Sequence, residues 1–166
     1  FTGKDVAVIG GGNSGIEAAL DLAGLAKHVY VLEFLPELRA DQVLQDRANA
    51  LENITIIKNA ATTEITGTDE VNGISYTDRE TNEDHHIALQ GVFVQIGIVT
   101  NTAWLKDSIV ELNPRGEITV DHHGMTNVEG IFAAGDCTDS AYKQIIISMG
   151  SGATAALGAF DYLIRQ

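Results

Sequence analysis

The chain has 166 residues, 45% of them hydrophobic, enough to bury one domain core or slightly more. A formal charge of −13, with ten basic residues scattered from Lys4 to Arg165, excludes nucleic acid and an anionic membrane surface as partners. No apolar run approaches the ~20 residues of a membrane-spanning helix, and the single cysteine, Cys137, cannot form an internal disulfide, so the expected compartment is the cytoplasm.

In chain order, Val6–Ile9 is short and apolar and predicts a fully buried strand. Ser14–Leu25 predicts a helix with Ile16, Ala19, Leu20 and Ala23 on one face. His28–Phe34 is a second, β-branched strand, and Asp41 is placed to cap a helix running to about Leu51. Ile54–Lys58 gives a third strand. The β-α-β-α-β order implies a parallel sheet with right-handed crossovers. The period then changes. Ala60–Leu89 carries short alternating stretches split by turn residues such as Asn72-Gly73, the pattern of an antiparallel meander. Gly91–Gly97 returns to a buried strand. Beyond a boundary near residue 98, "NPRGEITVD" predicts a turn and strand, "GIFAAGD" a buried strand, and Tyr142–Ile164 a final helix rich in Ala and Gly.

The fold class is therefore α/β: a Rossmann-like, doubly wound parallel sheet with an antiparallel β-meander over residues 1–97, followed by part of a second α/β domain over residues 98–166. Gly10, Gly12 and Gly15 fit G-x-G-x-x-G with a strand before and a helix after. The first glycine permits the tight turn, the second lets backbone approach a pyrophosphate, and the third brings helix close to strand. Phosphates would then meet unpaired N–H groups at the positive end of the helix, with Asn13 and Ser14 as further side-chain donors. Without a ligand, the same glycines would make a tight turn and nothing more.

The acidic residue expected after such a loop is Glu33, 18 positions beyond Gly15 at the end of the second strand. A carboxylate there accepts hydrogen bonds from the adenosine ribose hydroxyls. A 2′-phosphate would face a like charge, at roughly 4 kcal/mol per pair of unit charges ~4 Å apart in an effective dielectric of about 20. That favours NADH over NADPH, although Arg39, six residues on, could fold back. Phe34 and Gly97 complete the nucleotide set. A second match, Gly150, Gly152 and Ala155, has no βαβ unit after it and is read as close helix packing. The pairs His85-His86 and His122-His123 lack a ligand set at metal spacing, so no metal is expected. Trp104 is read as a packing aromatic at the domain junction.

The segments "VAVIGGGNSGIEAALDLA", "VLEFLPELRADQVLQD", "GVFVQIG", "GIFAAGDCT" and "YKQIII…GAFDYLIR" resemble the low-molecular-weight thioredoxin-reductase family, within it the alkyl hydroperoxide reductase flavoprotein branch. The resemblance covers essentially the whole chain. It implies a relay in which NADH reduces FAD, FAD reduces a Cys-x-x-Cys disulfide, and electrons pass to a peroxiredoxin. On that pattern Gly135-Asp136 meets the ribityl and pyrophosphate region of FAD. Lys143-Gln144-Ile145 opens the last helix beside the flavin ring, where a helix N-terminus stabilises negative charge. Residues 98–166 would form the C-terminal segment of an FAD-binding domain. Three departures matter. The chain begins at Phe1, just after the place of the Cys-x-x-Cys; the FAD-binding first half is absent; and Thr100 stands where proline is expected. The expectation is a fragment, catalytically silent alone and with no catalytic residue of its own, whose second part exposes apolar surface or meets another copy in a homodimer. The alternatives are a fragment of an NADPH-dependent thioredoxin reductase and a non-catalytic nucleotide-binding module.

Overall fold

The computed structural model describes residues 1–166 and divides into two compact units, Phe1–Gly97 and Ile98–Gln166. In the first unit the chain runs β1 (Asp5–Ile9), α1 (Asn13–Ala23), β2 (His28–Leu32), α2 (Gln42–Asn49) and β3 (Ile54–Ile57). Three antiparallel strands follow, β4 (Ala60–Gly67), β5 (Val71–Asp78) and β6 (Asp84–Ala88), then β7 (Val92–Val94). The parallel sheet has the order β3-β2-β1-β7, so the winding reverses at β1 and leaves a switch point beyond the carboxyl ends of β1 and β7.

Strand alternation explains why β1 and β2 read as unbroken apolar runs. Val6, Val8, Val29 and Val31 point to one face and pack with Ile16 and Ala19 of α1 and Ala48 of α2. Ala7 and Leu32 point to the other face and meet Ala60, Ile74, Tyr76 and Leu89 of the meander. Both faces of the sheet are thus covered, one by helices and the other by a second sheet. The crossover from β3 to β7 is made by that second sheet and not by a helix.

Asn72-Gly73 lies inside β5, not at a turn; the β4–β5 turn is Thr68–Glu70, after Gly67 with φ +145°. A Cβ on Gly73 would meet the imidazole of His86 on the neighbouring strand, so glycine lets that ring lie over β5. The 91–97 segment is also shorter and wetter than its composition suggests. β7 is an edge strand paired only to β1, and Val94 and Ile96 are exposed. Asp41 stands at the N-cap of α2, but its carboxylate does not cap the helix; it is held by Asn13 instead.

The second unit is mostly irregular. It contains one turn of 3₁₀ helix, Ala103–Leu105, and α3 (Ile145–Ile164). The expected strands in "NPRGEITVD" and "GIFAAGD" form only single bridges, Leu112 with Ile118, Ile118 with Thr138, and Met125 with Phe132, because neither lies beside a continuous strand. Trp104 is exposed, and its indole N–H bonds the Asn101 carbonyl at 3.2 Å. α3 begins at Ile145, three residues later than expected, because Lys143 is drawn away from the helix to Glu117 (3.0 Å) and to the Thr138 carbonyl. The helix buries Ala155 and Gly158 and exposes Ile146, Met149, Leu157, Phe160 and Leu163. No helix is long and apolar enough to cross a membrane.

Two stability outcomes are expected. Ile74→Ala, which empties a fully buried position between the two sheets, should cost about 2–5 kcal/mol in chemical denaturation; a loss below about 1 kcal/mol would contradict the two-sheet core. In the second unit, hydrogen bonding from Asn113 and then from Lys143 holds the Glu117 carboxyl below its ordinary value of 4.5. Its contribution is therefore fully present above pH ~4.5 and is lost as pH falls through the depressed folded value. Glu117→Gln should flatten the acid limb of a thermal-unfolding pH series and leave the neutral limb with constant slope.

Candidate functional site

β1 ends at the glycine turn, where each glycine answers to a different constraint. Gly10 takes φ +114°, donates its N–H to the Leu32 carbonyl at 2.9 Å, and lies so close to the Gln95 backbone that no Cβ fits. A Cβ on Gly15 would drive into the Gly10 carbonyl, and one on Gly11 into Leu38 and Glu33. Gly12 is different: a Cβ there would meet nothing within 4 Å. The chain itself therefore requires glycine at 10, 11 and 15 but leaves open space at 12. Gly12 is also the N-cap of α1, with no side-chain cap and no acidic residue in the first turn, so the first amides of the helix face outward with the positive end of its dipole.

Glu33 is buried at the end of β2 and bound to this turn. Its Oε2 accepts the Gly11 N–H at 2.5 Å and its Oε1 the Leu35 N–H at 2.8 Å. The Gly11 carbonyl in turn accepts the amides of Arg39 (2.9 Å) and Ala40 (3.1 Å). Asn13 and Asp41 exchange two bonds, side chain to side chain at 3.0 Å and Asp41 N–H to Asn13 Oδ1 at 2.7 Å. The acidic residue and the glycine turn are one structure, closed by the 33–41 segment. Asn13 is committed to Asp41, whereas Ser14 is exposed in the first turn of α1. Gly97, at φ +99°, lies two residues beyond Gln95, whose N–H bonds the Ile9 carbonyl at 2.8 Å.

Phe34 is half exposed beside Glu33, and it has a partner that the sequence did not indicate. The Arg79 guanidinium lies over the Phe34 ring, 3.8 Å from its centroid, and its Nη1 donates to the Phe34 carbonyl at 2.8 Å. Arg79 comes from the β5–β6 turn, 45 residues away. Asp78 shapes that turn by accepting the amides of Glu80 and Thr81, and these two bonds hold its carboxyl below the ordinary range. Gly11 and Arg79 are the two residues that sequence reasoning missed. The run of three glycines was a signal for the first; for the second there was none.

The remaining candidates gather in the second unit. Gly135 (φ +83°) donates its N–H to the Ser151 hydroxyl oxygen at 3.0 Å, and Asp136 accepts the Ser148 hydroxyl at 2.8 Å. The Gly135-Asp136 turn is thereby pinned to the first turns of α3. Gln144 is the N-cap, extended and without a side-chain cap, and Ile145 beside it is exposed. Lys143 turns inward to Glu117. Cys137 has its thiol on the Ala134 carbonyl at 3.3 Å. Elsewhere Asp121 is held below the ordinary carboxyl range chiefly by the Met125 amide, which orders the loop carrying His122 and His123. His85, His86, His122 and His123 form no group with other ligand side chains that could hold a metal ion.

Against known proteins, the pyridine nucleotide-disulphide oxidoreductase family matches residues 1–152. The chain is 74% identical over its whole length to a protein named NADH dehydrogenase from Ferdinandcohnia aciditolerans, and 63% identical to the alkyl hydroperoxide reductase F protein of Staphylococcus aureus. It spans about a third of the length of these relatives, 32% in each case. Among solved structures, Lactococcus lactis thioredoxin reductase superposes with a TM-score of 0.82 at 32% identity, over 100% of this chain and 55% of that one. Thioredoxin reductase of T. acidophilum gives 0.79 at 40% identity, over 99% of this chain and 54% of that one. The mixed α/β architecture, the glycine turn between β1 and α1 and these matches agree: the chain belongs to the pyridine nucleotide-disulphide oxidoreductase family.

Proposed function

We propose that this chain seats NADH within a longer flavin-dependent disulfide reductase, in which electrons run from NADH through FAD and a Cys-x-x-Cys pair to a peroxiredoxin. The observation that carries the reading is the open position at Gly12. Three glycines of the turn are demanded by the chain's own packing, and the fourth is explained by a group approaching from outside. The residues present fit a dinucleotide. The outward amides of α1 would hold the diphosphate, and Glu33 would accept the adenosine ribose hydroxyls while keeping its bond to Gly11. A carboxylate beside the ribose supports NADH over NADPH by charge repulsion. The names of the relatives, one an NADH dehydrogenase and one an alkyl hydroperoxide reductase component, support the cofactor and the peroxide-linked role.

The second unit fits the edge of a flavin. Its uncapped α3 N-terminus, framed by Ile145 and the Gly135-Asp136 turn, offers outward amides in an apolar setting. When bound, the nicotinamide would supply a hydride, for which the flavin would be the acceptor. The contribution of this chain is to orient the first and to place the positive end of α3 where charge accumulates on the second. Lys143 serves that geometry indirectly, tying the segment before α3 to Glu117. With one cysteine and no dithiol, these 166 residues alone would not reduce a disulfide.

Calorimetry of the full-length protein with ADP-ribose and its 2′-phosphate is the test. ADP-ribose should bind more tightly, and Glu33→Gln should weaken it by about ten- to a hundredfold, the worth of hydrogen bonds to a charged group. Unchanged affinity in that variant, or preference for the 2′-phosphate, would overturn the NADH assignment.

A further inference from the structure

The pairing of Phe34 with Arg79 is not required by the fold around it. Phe34 is 53% exposed and adds nothing to either core cluster. Arg79 is exposed, takes part in no salt bridge, and spends a hydrogen bond on the carbonyl of the residue it covers. Yet its placement is built. The Arg79 amide bonds the Asn59 carbonyl at 2.8 Å; the Asn59 amide bonds the Leu35 carbonyl at 3.1 Å; and the Ala60 amide bonds the Glu33 carbonyl at 2.8 Å. Asn59 adopts φ +58°, rare outside glycine, to make this joint. The meander is thus stitched to the residues on both sides of Phe34, and the stitching delivers one cation flat against one aromatic, next to Glu33.

A planar cation resting on an aromatic ring, with solvent on its free side, is a surface for a flat π-system. The adjoining carboxylate is the group assigned to the adenosine ribose, so the flat system at this distance along a dinucleotide is the purine. We propose that the Phe34–Arg79 stack is the adenine platform of the nucleotide seat, with Arg79 a specificity-determining residue supplied by the second sheet. This rests on the nucleotide reading given above and extends it to the base. Arg79 acts through its plane. The guanidinium fork both grips the Phe34 carbonyl and presents a face, which a lysine ammonium cannot do.

The test uses the full-length protein and three probes read by calorimetry: ADP-ribose, 2′-phospho-ADP-ribose and inorganic pyrophosphate. Arg79→Ala and Arg79→Lys should each weaken ADP-ribose by about tenfold and leave pyrophosphate unchanged. Phe34→Leu should reproduce the loss without touching the cation. Unchanged ADP-ribose affinity in Arg79→Ala overturns the proposal. So does full rescue by lysine, which would make charge and not the plane responsible. A loss confined to the 2′-phosphorylated probe would make Arg79 a phosphate partner, and a parallel loss of pyrophosphate would make it merely structural; either outcome also overturns it. If the unmutated protein binds pyrophosphate but neither ADP-ribose compound, the dinucleotide reading itself falls.

Discussion

One hydrogen bond organises the first unit: the Gly11 N–H to the Glu33 carboxylate, 2.5 Å long and buried. A buried carboxylate left without donors is costly, so the acid must take the amides of Gly11 and Leu35. In doing so it fixes the turn after β1 against the segment after β2. The Gly11 carbonyl then accepts the amides of Arg39 and Ala40, and Asn13 accepts the Asp41 N–H while donating to its carboxylate. Two loops that a Rossmann-like sheet merely brings near each other become a single cradle. The same charge that closes the cradle is the one proposed to meet a ribose, so deleting Glu33 would disturb the turn as well as any sugar contact.

The parallel half of the fold was legible because its rules are local. Val6–Ile9 and His28–Leu32 carry β-branched residues in short runs, and Gly10, Gly12 and Gly15 mark the handover to α1. What was not legible involves contacts across sequence or between strands. Asn72-Gly73 has the chemistry of a hairpin turn, yet it lies inside β5, where the glycine sits under the His86 ring of the neighbouring strand. Asp41 has the chemistry of a helix cap, yet Asn13, 28 residues away, competes for its carboxylate and wins.

In the second unit the apolar runs at Ile118–Val120 and Ile131–Ala134 predict strands by composition alone. A strand also needs a neighbour to share its hydrogen bonds. Here each finds only a single bridge, and side-chain bonds do the rest, from Asn113 to Glu117 and from Asn127 to the Ile109 carbonyl. The candidate residues of this unit came only from resemblance. No spacing rule connects Gly135-Asp136 with Ser148 and Ser151, although these bonds bring the turn onto α3.

The sheet order has a bearing on how the cradle comes into being. Gly10 is pressed against Gln95, and Ala7 pairs with Val92, so the turn after the first strand is backed by the last strand of its unit. At translation speeds of roughly 5–20 residues per second, several seconds separate the emergence of the two. During that interval β1 can pair with β2, and α1 can form, while one edge of β1 waits unpaired. Within this unit the first strand to be made is therefore among the last to be finished, and the glycine turn becomes a checkpoint on completion of the whole unit.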